Sequence, residues 1–146
     1  MVALNIPDDL HFEVIESVII AAPIEVSFTS LIDEMTHANE AEAGNPMPMR
    51  LECFPGGRWY RDLGNDQGHC WGFVQAIKKP TLLEISGPLF MSCAVCNNLQ
   101  YRLKAVDAGT ELRLRHSAFG LIDPGHRSGV AEGWHALLER VVRRAV

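Results

Sequence analysis

The chain has 146 residues, 47% of them hydrophobic, with 13 basic and 18 acidic side chains and a formal charge of −5. A chain of that length and apolar content builds a single core without disulfide or metal staples, which excludes a disordered polymer. Mild acidity excludes a nucleic-acid footprint, which needs clustered Lys and Arg; the one basic group, Arg140, Arg143 and Arg144, suits the negative end of a helix.

No apolar run reaches the roughly 18 residues of a membrane span. Met1 to Asp9 carries acids and no base, unlike a secretory leader. Four cysteines in a chain this size fit a reducing compartment better than a disulfide framework, so the cytoplasm is the expected location.

In chain order, residues 1–10 read as a loosely held arm of a single domain spanning residues 1–146. Phe12 to Ala22, rich in Val and Ile, predicts a long first strand. Pro23 suits a first helical position, and Ile24, Phe28, Leu31, Ile32 and Met35 recur at helical spacing. Ala41 and Ala43 leave a second short helix open, ended by Gly44-Asn45-Pro46 and Pro48. Strands are then expected over Met49 to Phe54, Arg58 to Leu63, His69 to Lys78, Leu82 to Ser86, Ser92 to Val106 and Thr110 to Ser117. Pro55-Gly56-Gly57, Gly64 to Gly68 and Asp107-Ala108-Gly109 are the turns between them, with Gly56-Gly57 supplying positive φ. Gly72 inside a strand permits a bend or a close approach. Asp123-Pro124-Gly125 breaks the pattern before a last helix that carries Val130, Trp134, Leu137, Leu138, Val141 and Val142 on one face. One strand, one or two helices, about six more strands and a long helix make an antiparallel α+β domain.

The succession Ala22-Pro23-Ile24-Glu25-Val26-Ser27-Phe28, Pro55-Gly56-Gly57-Arg58-Trp59, Trp71-Gly72-Phe73-Val74 and Pro80 before a strand resembles one family. So does Thr110 to His116 followed by Gly133-Trp134-His135-Ala136-Leu137-Leu138. The chain is similar to the SRPBCC superfamily (START, polyketide cyclase and birch-pollen-allergen-like proteins). Within it, the resemblance is to the branch named for the C-terminal domain of the activator of the heat-shock protein 90 ATPase. It implies a helix-grip fold: a curved antiparallel sheet of about seven strands around a long C-terminal helix, with a hydrophobic cavity between them. It implies no single activity, because carriers, cyclases, hydrolases and co-chaperone domains share that fold.

Strand alternation supplies the candidate lining of such a cavity. Leu112, Leu114 and His116 share one face against Glu111, Arg113 and Arg115; Leu99, Tyr101 and Leu103 share one against Gln100, Arg102 and Lys104. Leu99, Tyr101, Leu114, His116, Trp134 and Leu138 then enclose an apolar space with two polar handles, as small-molecule sites do. Leu51, Trp59 and Phe73 complete the set, although Trp59 and Trp134 read as core before ligand platform and the Trp71, Phe73 pair is ambiguous, one of its faces packing the helix. His116 has two readings. It is either a hydrogen-bonded buried histidine that fixes the loop before the last helix, or a donor or general base at the pocket mouth. Tyr101 divides in the same way.

Cys93-Ala94-Val95-Cys96 looks like a redox or zinc motif, but residues three apart entering a strand point to opposite faces. A zinc site would need a second ligand pair, for which only His69-Cys70 offers itself; the bland reading is small buried hydrophobes. No nucleophile elbow, phosphate loop, paired metal carboxylates or dinucleotide fingerprint is present, and no metal or cofactor is expected. The leading expectation is therefore a domain binding a hydrophobic small molecule or lipid, compatible with a homodimer. A chaperone-activator-like interaction module and a cyclase or hydrolase using His116 and Tyr101 are the alternatives.

Overall fold

A computed structural model describes residues 7–146. Of the expected N-terminal arm, residues 1–6 lie outside the described residues, and Asp8–Leu10 form one 3-10 turn. The β-branched run settles into strand β1 (His11–Ile20), with Phe12 and Ile20 buried and Ile15 and Ile19 about half exposed on the other face. Pro23 stands one position earlier than expected, as the N-cap of helix α1 (Ile24–Met35). That helix buries Ser27, Phe28, Ser30, Leu31, Glu34 and Met35. The second helix does not form. Glu42–Gly44 is a lone 3-10 turn interrupted by Ala43 at φ 60°, a left-handed conformation no continuing helix can use.

Six further strands complete one antiparallel sheet: β2 (Arg50–Leu51), β3 (Arg58–Gly64), β4 (Gln67–Lys78), β5 (Leu82–Gly87), β6 (Val95–Val106) and β7 (Gly109–Gly120). Their spatial order is β1-β7-β6-β5-β4-β3-β2. β2 is shorter than Met49 to Phe54 because the Phe54 N–H turns back to the Glu52 carbonyl at 2.9 Å. The Glu52 carboxylate also takes the Arg58 N–H at 2.9 Å, so the chain leaves the ladder early. In the turn that follows, Gly56 has φ 85°, as expected. Gly57 is required for a different reason: a Cβ there would stand 1.9 Å from the Glu52 carbonyl oxygen.

Asp123-Pro124-Gly125 starts the last helix rather than merely preceding it. The Asp123 carboxylate accepts the Gly125 N–H at 2.7 Å, with Pro124 in the first turn of α2 (Pro124–Arg144). α2 buries Val130, Trp134, Leu137, Leu138 and Val141, a face worth roughly 10 kcal/mol of gross hydrophobic stabilisation at about 2 kcal/mol per side chain. α2 is tied to α1 by a buried carboxylate that parity along the strands did not reveal. Glu34 accepts from Arg140 Nε at 2.8 Å and from Arg144 Nε at 2.5 Å. Two of the three terminal arginines therefore serve this clamp, beyond complementing a helix end.

Candidate ligand-binding site

His116 lies on the inward face of β7, fully buried, and is held from both sides. Trp134 of α2 donates its indole N–H to His116 Nδ1 at 2.9 Å. Because an indole only donates, Nδ1 is the acceptor and Nε2 carries the proton. Nε2 then donates to Asn97 Oδ1 at 2.7 Å, and Asn97 Nδ2 donates to the Pro88 carbonyl at 3.1 Å. The chain of donors thus runs from α2 through β7 and β6 to the start of the loop between β5 and β6. Burial pushes the His116 pKa down to about 4, since charging the ring here would remove it from water without an acid beside it. At neutral pH this imidazole is neutral and both nitrogens are engaged.

The other candidate residues sort into two groups. Leu99, Tyr101, Leu114 and Leu138 are fully buried, and Trp59 and Trp134 nearly so; all belong to one hydrophobic core cluster. Leu51 packs against that cluster, half-buried, where β2 pairs with Trp59. Trp59 donates its indole N–H to the Met35 carbonyl at 3.0 Å, joining β3 to α1. Phe73 does not join them; it is 50% exposed on the outer face. A bulge at Trp71, where Trp59 pairs with Gly72 but Tyr60 pairs with Cys70, breaks the two-residue alternation. Trp71 consequently turns inward and Phe73 outward. The Tyr101 hydroxyl has no hydrogen-bond partner among the described residues. Burial raises its pKa, so the phenol stays protonated.

Beside these buried side chains lies an open cleft. The loop between β5 and β6 and the start of β4 border a cleft of about 610 Å³, lined among others by His69, Trp71, Leu89, Phe90, Met91 and Cys93. Phe90 is the partition between cleft and core. Its ring stacks on His126 of α2, with centroids 5.5 Å apart and planes within 15°. It meets Trp71 edge-on at 5.8 Å, Trp134 at 6.3 Å and His116 at 6.4 Å. The loop backbone is pinned around it: Leu89 N–H donates to the Trp71 carbonyl at 2.7 Å and Met91 N–H to the Pro88 carbonyl at 3.0 Å. Leu89 and Met91 are buried, and Leu89 sits at φ 54°, a strained conformation for a branched residue. A second cleft of about 610 Å³ opens at the far end of α2, beside Glu34, Asn39, Arg140 and Arg143.

No family model matches the sequence, and no curated protein is detectably similar to it. Solved structures do share its architecture. An uncharacterized protein from Rhizobium leguminosarum aligns with TM-score 0.71 at 14% identity, over 92% of this chain and 94% of that one. An AHSA1-like protein from Aeromonas hydrophila aligns with TM-score 0.65 at 16% identity, over 91% of each chain. The di-domain ARO/CYC StfQ from the steffimycin biosynthetic pathway aligns with TM-score 0.61 at 13% identity, over 94% of this chain and 50% of that one. The chain shares the helix-grip fold with these proteins.

In this helix-grip domain the cysteines are not the small buried hydrophobes expected. Cys70, Cys93 and Cys96 are exposed and Cys53 is half-buried, all as free thiols. Cys93 lies in the loop and Cys96 in β6. Among the described residues no three His, Cys, Asp or Glu side chains converge to hold a metal ion, and no helix is long and apolar enough to cross a membrane. Two residues that matter at the helix-grip mouth were not foreseen. Asn97 was legible, since it shares strand parity with Leu99 and Tyr101. Phe90 was not, because it stands in a loop where no periodicity marks its direction.

Proposed function

We propose that this domain binds an apolar small molecule or lipid, taken up at the cleft between the β5–β6 loop and the start of β4. The observation that carries the reading is the cleft of about 610 Å³ that Trp71, Leu89, Phe90 and Met91 line together with His69. Small-molecule sites set apolar rings beside placed polar groups, and this cleft combines Trp71 and Phe90 with the polar groups of His69, Ser92 and the loop backbone. The aligned ARO/CYC protein and the AHSA1-like protein are compatible with it, since the fold hosts carriers and enzymes alike.

Catalysis through His116 and Tyr101 receives less support. A general base needs a free lone pair and a pKa near the working pH; His116 has its one lone pair occupied by Trp134. His116 therefore acts in this reading as the post that fixes the loop. Four free thiols agree with a reducing, cytoplasmic setting. The test is displacement of 1-anilinonaphthalene-8-sulfonate from the folded protein by graded apolar compounds, read by fluorescence. Saturable dye binding at one site with competitive displacement is expected. No dye binding at protein concentrations of about 100 μM, near the weak end of small-ligand affinity, would remove the reading.

A further inference from the structure

The clamp between α1 and α2 holds more donors than it uses. Glu34, with 4% of its side chain exposed, takes one N–H from each of two arginines a helical turn apart. These are Arg140 Nε at 2.8 Å and Arg144 Nε at 2.5 Å. A guanidinium carries five N–H donors. Each of these two commits only its Nε to Glu34, so the Nη groups of both have no acceptor among the described residues. Arg143, in the same last turn, has no ion pair there either. All three arginines line the second cleft of about 610 Å³, with Asn39 and Glu40 across from them. The facing wall is fixed by its own backbone. Met47 N–H donates to the Asn39 carbonyl at 2.8 Å, and Asn39 Nδ2 donates to the Met47 carbonyl at 3.0 Å. Ordering a long side chain on binding costs affinity; Glu34 has already ordered two of the three.

We infer that this cleft binds a small molecule through a phosphate monoester, held by the unpaired Nη groups of Arg140 and Arg144 and by Arg143, with Glu34 positioning the first two. The site goes beyond the binding reading above and does not depend on it, because it lies at the other end of α2 from Phe90. Guanidinium forks match the oxygens of carboxylates and phosphates in pairs. A carboxylate has two oxygens and fills one fork. A phosphate monoester presents three terminal oxygens and a charge of about −1.5 to −2 near neutral pH, enough to engage three guanidinium groups together. The lining sets three arginines against the carboxylates of Glu34 and Glu40 in a chain whose formal charge is −5. The negative ends of α1 and α2 also lie here and weaken the field, so recognition rests on directed N–H donors rather than on net charge. Glu40 stands 3.7 Å from Arg140 Nε, which places the phosphate on the Arg143 and Arg144 side. The volume exceeds that of a free phosphate ion, and Ala38 and Pro46 offer apolar surface to the organic part.

The experiment is calorimetric titration in low-salt, phosphate-free buffer near neutral pH. Wild type, Arg143→Ala, Arg143→Lys and Arg113→Ala are each titrated with phenyl phosphate, inorganic phosphate and benzoate. Arg143 takes no part in the clamp, so its variants should unfold in urea as wild type does. Arg113, exposed on β7, controls for a general loss of positive charge. We expect phenyl phosphate to bind wild type and Arg113→Ala equally, at one site, and Arg143→Ala about tenfold more weakly, as loss of one charge-assisted pair requires. Arg143→Lys, which keeps the charge without the fork, should fall between them. Benzoate should bind wild type about tenfold more weakly than phenyl phosphate. Equal affinity of phenyl phosphate for wild type and Arg143→Ala, an equal loss in Arg113→Ala, or equal affinity for benzoate would overturn the site. So would absence of phenyl phosphate binding at millimolar concentration, and binding of inorganic phosphate alone would reduce the cleft to a seat for a free ion and overturn the monoester. The dye titration reads the cleft beside Phe90 separately, so either proposal can fail without the other.

Discussion

His116→Gln isolates what the buried imidazole contributes. Glutamine keeps one acceptor for the Trp134 indole and one donor for Asn97, but it does not titrate. In the native protein burial lowers the His116 pKa from its ordinary 6.5 to about 4. Between those values the unfolded chain binds a proton that the folded chain refuses, so native stability falls as pH falls. The contribution is fully present above about pH 6.5, is lost progressively, and is exhausted near pH 4. At about 1.4 kcal/mol for each pH unit, the whole interval is worth about 3 kcal/mol. Urea unfolding followed by tryptophan fluorescence at pH 7.5 and at pH 4.5 reads it directly. Wild type should lose about 2 to 3 kcal/mol more than His116→Gln between the two conditions, after the shared loss from carboxylates is subtracted. An equal loss in both proteins would refute the reasoning. So would a native His116 ring titrating near 6.5 by NMR, since either result means the ring is charged in the fold.

Glu34→Ala leaves Arg140 and Arg144 without the carboxylate that joins α2 to α1. Breaking a largely buried pair on one side should cost about 3 to 5 kcal/mol in urea unfolding, whereas a loss under about 1 kcal/mol would make the clamp no stronger than a surface pair. Phe73→Ser, on the outer face, should change stability by no more than about 0.5 kcal/mol. Leu99→Ala, fully buried, should cost about 2 to 5 kcal/mol; the reverse ranking would mean that the bulge at Trp71 is misplaced.

The parts of the fold legible in the chain were those that repeat. Alternation in Leu99 to Leu103 and Leu112 to His116 set the inward faces of β6 and β7 correctly, and helical spacing set the face of α2. The order of the Pro-Gly-Gly-Arg-Trp, Trp-Gly-Phe-Val and Gly-Trp-His motifs pointed to the architecture. What periodicity cannot carry was missed. A one-residue bulge at Trp71 puts Trp71 and Phe73 on opposite faces, whereas two-residue parity places them on one, so Phe73 was counted with the lining. Glu34 falls three residues after Leu31 on the buried side of α1, but a charge there reads as solvent-facing until the arginines that meet it are brought across from α2. The site itself lies in a loop, where Phe90 acquires its role only from Trp71, His116, His126 and Trp134 arriving from three other elements. The spacing of apolar residues says which side they face, and not whether they leave room between them.

Two-dimensional ¹⁵N NMR of the labelled protein titrated with 1-anilinonaphthalene-8-sulfonate tests the proposed binding cleft most directly. The account predicts that the indole N–H signals of Trp71 and Trp134 shift together with the backbone amides of residues 90–93. Tyr101 and Leu112, buried in the core, should stay in place. Shifts confined to the cleft beside Arg140 and Arg143, or spread over the outer face around Phe73, would contradict it.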